Sequence, residues 1–324
     1  MLDNIEMVRE NRLVKELVLL DGFPRAGKSV LGGVLSSFER VEIQRSEPIL
    51  EDLSLLYNLN KIKMDVAVAL LRREMDLMLY NSMISRNTNF RIRDRTGVLN
   101  NANHFRYFKR LFFKDGDVVL ERIQREKPIF QVEVHTMLER MDLYFEAFGK
   151  HLKIIEMVRH PVDLIIKNNK PPAFANDLQL NPRLWAPVFK IKNRYIPYYA
   201  LGWDEEFKRE CSFNRAIKIL QRQTEKTRMK YKSLSKTQKS QILFIPFEKF
   251  VVSPYKYLDL ISNFIGSEVT GKTKRALKMQ KVPRIINPVV KENIMKLIKE
   301  KISKECLDIL DDLIYKYEQK YLIP

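Results

Sequence analysis

Cysteine is nearly absent from this chain: Cys211 and Cys306 are the only two in 324 residues, far apart and outside any C-x-x-C pattern. That spacing excludes a disulfide framework and a zinc-thiolate site, and it points to a reducing compartment, the cytoplasm. Long apolar runs are missing too. Residues 1–12 alternate acidic, basic and apolar side chains, and nowhere do about 18 uncharged apolar residues follow one another, so neither an export signal nor membrane insertion is expected. There is no internal repeat, no low-complexity tract and no dividing linker, which predicts one domain over residues 1–324. No His, Cys, Asp or Glu cluster stands at ligand spacing, and no metal is expected.

Basic residues, by contrast, are in excess: 58 Lys and Arg stand against 40 Asp and Glu, a net charge of +18. Such a chain attracts anions. The sign alone does not choose among nucleic acid, acidic lipid surfaces, nucleotide cofactors and anionic glycans, and a Lys-rich coding bias gives the same total. With 45% hydrophobic and 10% aromatic residues the chain can bury a large core.

The strongest local signal is Gly22-Phe23-Pro24-Arg25-Ala26-Gly27-Lys28-Ser29, directly after the apolar run Leu17–Leu20. It fits G-x-x-x-x-G-K-[ST] between a strand and a helix. In that setting backbone N–H groups turn inward, Lys28 adds a cation and the helix start presents its positive end, which makes a phosphate cradle.

Strand and helix patterns then alternate. Strands are predicted over 17–23, 40–44, 128–134, 153–158 and 241–246, and helices over 28–38, 64–83, 136–150, 255–265 (closed by Gly266) and 303–322. The order predicts an α/β fold: three layers, a central parallel sheet with helices on both faces, and ligands at the carboxyl ends of the strands. Two segments break the rhythm. Residues 167–204 form an aromatic, proline-rich insertion carrying Trp185, Tyr195, Tyr198, Tyr199 and Trp203, either part of a substrate pocket or a packed surface loop. Residues 205–239 form a basic helical segment, a weak sign of nucleic-acid or membrane contact. Arg91, Arg93 and Arg95 mark a further basic stretch that suits either an anion or solvent.

A second constellation lies at Arg159-His160-Pro161-Val162-Asp163, where a strand ends in an arginine whose fork suits a phosphate monoester, although pairing with Asp163 is an alternative use for it. A third is Phe244-Ile245-Pro246-Phe247-Glu248-Lys249-Phe250 with Ser253-Pro254 and a helix ending Phe264-Ile265-Gly266. Together with the loop, these resemble the sulfotransferases. Phe23 to Ser29 is similar to that family's Tyr-Pro-Lys-Ser-Gly-Thr-Thr loop, 159–163 to its Arg-Asn-Pro-x-Asp, and 242–266 to its Tyr-Glu-Asp-Leu and Phe-Leu-Gly segment. The resemblance covers most of residues 15–166 and 240–266; the insertion and the tail are not covered.

The resemblance implies a sulfuryl transfer from 3′-phosphoadenosine 5′-phosphosulfate (PAPS) to a small-molecule or glycan acceptor, without a required metal. It assigns the phosphosulfate end to Pro24, Arg25, Ala26, Gly27, Lys28 and Ser29, and the 3′-phosphate to Arg159. Arg25 stands at the family's usual Lys position, Lys28 replaces a Thr, and Lys167 stands where a Ser commonly holds the 3′-phosphate. His135, after the strand 130–134, is the expected general base, with Glu133 in reserve. A P-loop kinase or ATPase using Mg-ATP fits the same loop, with Glu133 or Asp21 as the magnesium acid. A basic nucleic-acid-binding protein is a third reading, without a recognition motif behind it.

Overall fold

Every residue of β1 (Glu16–Asp21) after the first is buried, on both faces, as a parallel strand between two helical layers requires. The computed structural model describes residues 5–94, 96–168 and 186–322. Strands β2 (Ile129–Glu133) and β3 (Leu152–Val158) flank β1, a separate antiparallel hairpin is made of β4 (Val188–Ile191) and β5 (Arg194–Pro197), and β6 (Ile242–Pro246) completes the main sheet. That sheet is wholly parallel, in the order β2-β1-β3-β6. Leu20 pairs with Glu133 on one side and Ile155 on the other, and Val158 pairs with Pro246. All four carboxyl ends therefore open on one rim.

Between β1 and β2 come α1 (Lys28–Leu35), α2 (Pro48–Asn58), α3 (Met64–Met83), α4 (His104–Arg110) and α5 (Asp117–Glu126). Helix α6 (Asp142–Phe148) joins β2 to β3, and α7 (Pro161–Asn168), α8 (Asp204–Arg209), α9 (Ser212–Ser233) and α10 (Lys236–Ser240) lie between β3 and β6. The chain ends in α11 (Phe247–Val252), α12 (Pro254–Ile265), α13 (Thr273–Met279), α14 (Pro288–Lys299) and α15 (Lys304–Tyr317). Side-chain alternation along β1 builds two cores. Val18 and Leu20 pack with Leu31, Leu35, Ile165, Ile217 and Leu310, while Leu17 and Leu19 pack with Leu50, Leu53, Leu71, Met75 and Phe148. The three-layer α/β reading is thereby met.

Two predicted elements differ. The strand expected over 40–44 does not form a continuous ladder: its backbone meets β2 through isolated bridges at Val41 and, just beyond it, Arg45. Arg40 has φ 60°, which breaks the extended run, and Glu42 turns inward to a bidentate pair with Arg110 at 2.5 and 2.8 Å. The helix expected over 136–150 is split into a 3₁₀ turn, Leu138–Arg140, and α6. Its start is bent because Thr136 has φ 49° and the Asp21 carboxylate accepts the Met137 and Leu138 N–H groups at 2.9 and 2.6 Å. By contrast, α3 runs over the predicted 64–83 and α12 closes on Gly266 in a left-handed conformation at φ 66°.

Candidate functional site

Each strand of the sheet delivers one part of the site from its carboxyl end. The loop after β1 is held open by two glycines: Gly22 (φ 131°), where a Cβ would lie 2.3 Å from the Met157 carbonyl oxygen, and Gly27 (φ 110°), where it would lie 2.2 Å from the Phe247 ring. Arg25 also has a positive φ, 70°, and its side chain is exposed. Pro24 and Ala26 are buried beneath it, and the Pro24 carbonyl accepts from Asn168 Nδ2 at 3.1 Å. Lys28 does not extend outward. It is 2% exposed, and its Nζ donates to the Gly22 and Phe23 carbonyls at 2.8 and 3.1 Å, tying the loop to the start of α1.

Below this loop lies a buried carboxyl pair, Asp21 and Glu156, register partners on β1 and β3. Burial pushes both carboxyls up, Glu156 well above its ordinary value, with the Asp21 charge as the next cause. Asp21 is satisfied by two backbone N–H groups, whereas Glu156 Oε2 finds no partner, which makes Glu156 the carboxyl whose charged form burial disfavours more.

From the end of β2, Glu133 turns toward α1: its Oε2 accepts from Ser29 Oγ at 3.0 Å and from Gln44 Nε2 at close range. Its other oxygen, Oε1, lies 3.7 Å from His135 Nε2. His135 is fixed by Glu51 of α2, whose Oε1 is 2.9 Å from Nδ1 and accepts the His135 backbone N–H at 3.1 Å. Since a carboxylate only accepts, Nδ1 is the donor to Glu51, and in the neutral ring that leaves Nε2 as the acceptor. Sequence reading brought His135 and Glu133 forward but missed Glu51, which stands far away in the chain on a helix with no motif of its own.

At the end of β3, Arg159 lies over the Phe247 ring at 4.1 Å, donates to the Arg25 carbonyl at 3.0 Å and reaches Asp163 at 3.3 Å. Its Nε has no hydrogen-bond partner. Lys167 stands one turn after Asp163 on α7, 3.9 Å from the same carboxylate, and its ammonium is held below the usual range by burial and by Arg159. Arg284 approaches the same ring, 5.7 Å from its centroid. Phe247 begins α11 just after β6. Three cations thus gather around one carboxylate and one aromatic face beside the loop.

Other basic and aromatic stretches do different work. Lys218 is buried among Glu206, Glu210 and Glu305 at 2.7 to 3.0 Å, Arg222 pairs with Glu206 over the Trp203 ring, and Lys230 pairs with Asp142. Part of the basic charge of segment 205–239 is thus spent on internal pairs, while Lys226, Lys232 and Lys236 are exposed. In the insertion, Tyr199, Trp203 and Phe207 are buried with Ile196 and Ile219 in a small cluster against Phe23, so these aromatics pack and steady the loop instead of lining an open pocket. Residues 169–185, including Trp185, lie outside the described residues, as does Arg95. Arg91 and Arg93 sit in a turn organised by Asp94. Among the described residues no helix is long and apolar enough to cross a membrane.

No protein-family model and no curated protein matches the chain. Solved structures similar to it include the sulfotransferase domain from the curacin biosynthetic pathway (12% identity, 81% of this chain and 77% of that one, TM-score 0.44). They also include the sulfotransferase domain of the Synechococcus PCC 7002 olefin synthase (13% identity, 98% of each chain, TM-score 0.44). A third is sulfotransferase STF9 from Mycobacterium avium (11% identity, 97% of this chain and 78% of that one, TM-score 0.44). All three are sulfotransferases, and at this identity the function of the present chain has to be read from its own rim residues.

Proposed function

We propose that this protein is a sulfotransferase that draws on PAPS and uses His135 as its base. The observation that carries the reading is the pairing of two unlike functions on either side of one loop: a cationic seat around Phe247 and a histidine with its acceptor nitrogen set by Glu51. The residues suit such a donor. The Gly22–Gly27 cradle has no room for a side chain at either glycine, and the orphaned Arg159 Nε adds an N–H to be satisfied beside it. Backbone N–H groups of Gly27, Lys28 and Ser29 would hold the phosphosulfate end, with Pro24 shaping the turn and Ala26 packed beneath it, its N–H donated at 3.0 Å to the Phe23 carbonyl and so not to the ligand, and Arg159, Lys167 and Arg284 would hold the 3′-phosphate.

When bound, PAPS supplies a sulfuryl group whose bond to phosphate oxygen breaks as an acceptor oxygen bonds to sulfur. His135 Nε2 takes the acceptor's proton, and the Glu51 carboxylate stabilises the imidazolium so formed. Glu133, 3.7 Å away, favours the same charge and is the reserve base. Arg25, exposed at the loop's tip, opposes the negative charge that develops on the leaving side, while Lys28, donating to the Gly22 and Phe23 carbonyls, keeps the loop in shape. The acceptor is a small molecule or a glycan, as the resemblance suggests.

One observation favours a second reading. Ser29 Oγ donates to Glu133 Oε2, and a loop hydroxyl beside a strand-end carboxylate is the pair that holds magnesium in P-loop kinases and ATPases. Thermal denaturation separates the two, because a ligand that binds only the folded chain raises its melting temperature. Adenosine 3′,5′-bisphosphate is expected to stabilise without magnesium. Stabilisation by ATP with magnesium alone would overturn the proposal in favour of the kinase.

A further inference from the structure

Helix α4 and the turn that follows it read His104-Phe-Arg-Tyr-Phe-Lys-Arg-Leu-Phe-Phe-Lys114, with aromatic and basic residues interleaved. Its inner side is fully committed. Tyr107 is buried, with its hydroxyl accepting the Ile43 N–H at 2.6 Å and donating to Glu42 at 3.1 Å, and Arg110 is buried against the same carboxylate. The outer side carries Phe105, Phe108 and Phe112 at helical spacing, and the turn bonds Leu111, Phe112 and Phe113 back to Phe108, Lys109 and Arg110, so the stripe continues past the helix end. Phe105 is 75% exposed and Phe112 87%, with Leu111 at 50% and Ile92, on the adjoining turn, at 76%. Phe108 is steadied edge-on by Phe90 at 5.3 Å.

Folding makes no use of these tips, and their surroundings name an anionic occupant. From Phe90 to Lys114 the sequence holds seven Arg or Lys and a single acid, Asp94, which is turned back into its own loop by Thr96. The cavity of about 360 Å³ beside them is lined by Arg40, Arg106, Lys109 and Arg110 together with Glu42 and Glu126, which pair with Arg106 and Arg110 and leave Lys109 as the cation turned to the outer side. A protein partner would meet separate aromatic tips divided by cations. A bilayer interface takes both, rings among the upper acyl chains and cations among phosphates.

We infer that this face docks the protein on an anionic membrane surface, with Phe105, Leu111 and Phe112 entering the interface and Lys109 and Lys114 meeting lipid phosphates. The surface is independent of the reading given to the loop.

Flotation of the full chain with vesicles tests it. The protein is expected to float with phosphatidylcholine vesicles containing phosphatidylserine and not with phosphatidylcholine alone, and high salt should release it. Phe105→Ser with Phe112→Ser is expected to cut binding roughly tenfold or more at an unchanged melting temperature, and Lys109→Glu with Lys114→Glu should cut binding to the charged vesicles similarly. No flotation with the phosphatidylserine vesicles, or equal flotation of the double serine variant, would overturn the inference. So would sedimentation in which the parent self-associates through this face and does not bind vesicles.

Discussion

Glu51 holds His135 twice with one carboxylate oxygen, 3.1 Å from its backbone nitrogen and 2.9 Å from Nδ1. Ring and backbone are thus oriented together from α2, while the other ring nitrogen, Nε2, lies 3.7 Å from Glu133 Oε1 at the end of β2. His135→Ala is expected to lower turnover by about 10²–10⁴ while leaving adenosine 3′,5′-bisphosphate binding intact. Glu51→Gln should cost less and shift the acid limb of the pH–rate profile downward, since the imidazolium loses its counter-charge. Titration calorimetry and initial rates check both, and wild-type turnover in the His135 variant would remove it as base.

Arg159 is the residue whose loss should be felt in binding. Its truncation to Ala is expected to weaken adenosine 3′,5′-bisphosphate roughly 10- to 100-fold, the worth of a charge-assisted phosphate contact. Lysine should not restore it, because a flexible ammonium cannot both lie flat on Phe247 and reach the Arg25 carbonyl. Equal affinities for parent and alanine variant in calorimetry would exclude a role in binding.

Gly27→Ala tests the cradle. Its Cβ would enter the Phe247 ring at 2.2 Å in a backbone conformation with φ 110°, so a loss of about 2–4 kcal/mol in urea unfolding is expected. Adding Phe247→Ala relieves the clash but not the strain. The double variant should therefore lose less than the two single losses together.

Asp21 and Glu156 give stability a pH dependence of a definite sign. Because burial raises both carboxyls in the folded chain, the folded state binds more protons than the unfolded one at pH values above the ordinary carboxylate range. The stabilisation tied to that proton is complete in acid and is lost as pH rises from the ordinary carboxylate value through the raised one. Glu156→Gln keeps the shape and removes the titration. Its melting temperature should match the parent's in acid and exceed it increasingly toward neutral and alkaline pH, as differential scanning calorimetry would record.

What the sequence made legible was what neighbouring residues determine. The Gly22–Ser29 spacing, the period of α3 and the Gly266 stop are local patterns, and each stands where those patterns put it. The site residues that escaped notice act over distance. Glu51 meets His135 from another helix, Gln44 meets Glu133 from a segment whose strand-like pattern is broken at Arg40, and Lys218 draws its partners from α8 with the residue that closes it and from α15. Lys28 illustrates the other gap: the motif identifies the lysine but not the carbonyls it serves.

Phe247 touches both halves of the rim at once, closing on Gly27 and carrying Arg159 on its face. The loop and the cationic seat are thereby one mechanical piece, held at a fixed separation. A molecule with an anion at each end of a rigid middle secures its second contact at the effective concentration set by its first. A monophosphate can satisfy only one side, so discrimination here depends less on either grip than on the span between them.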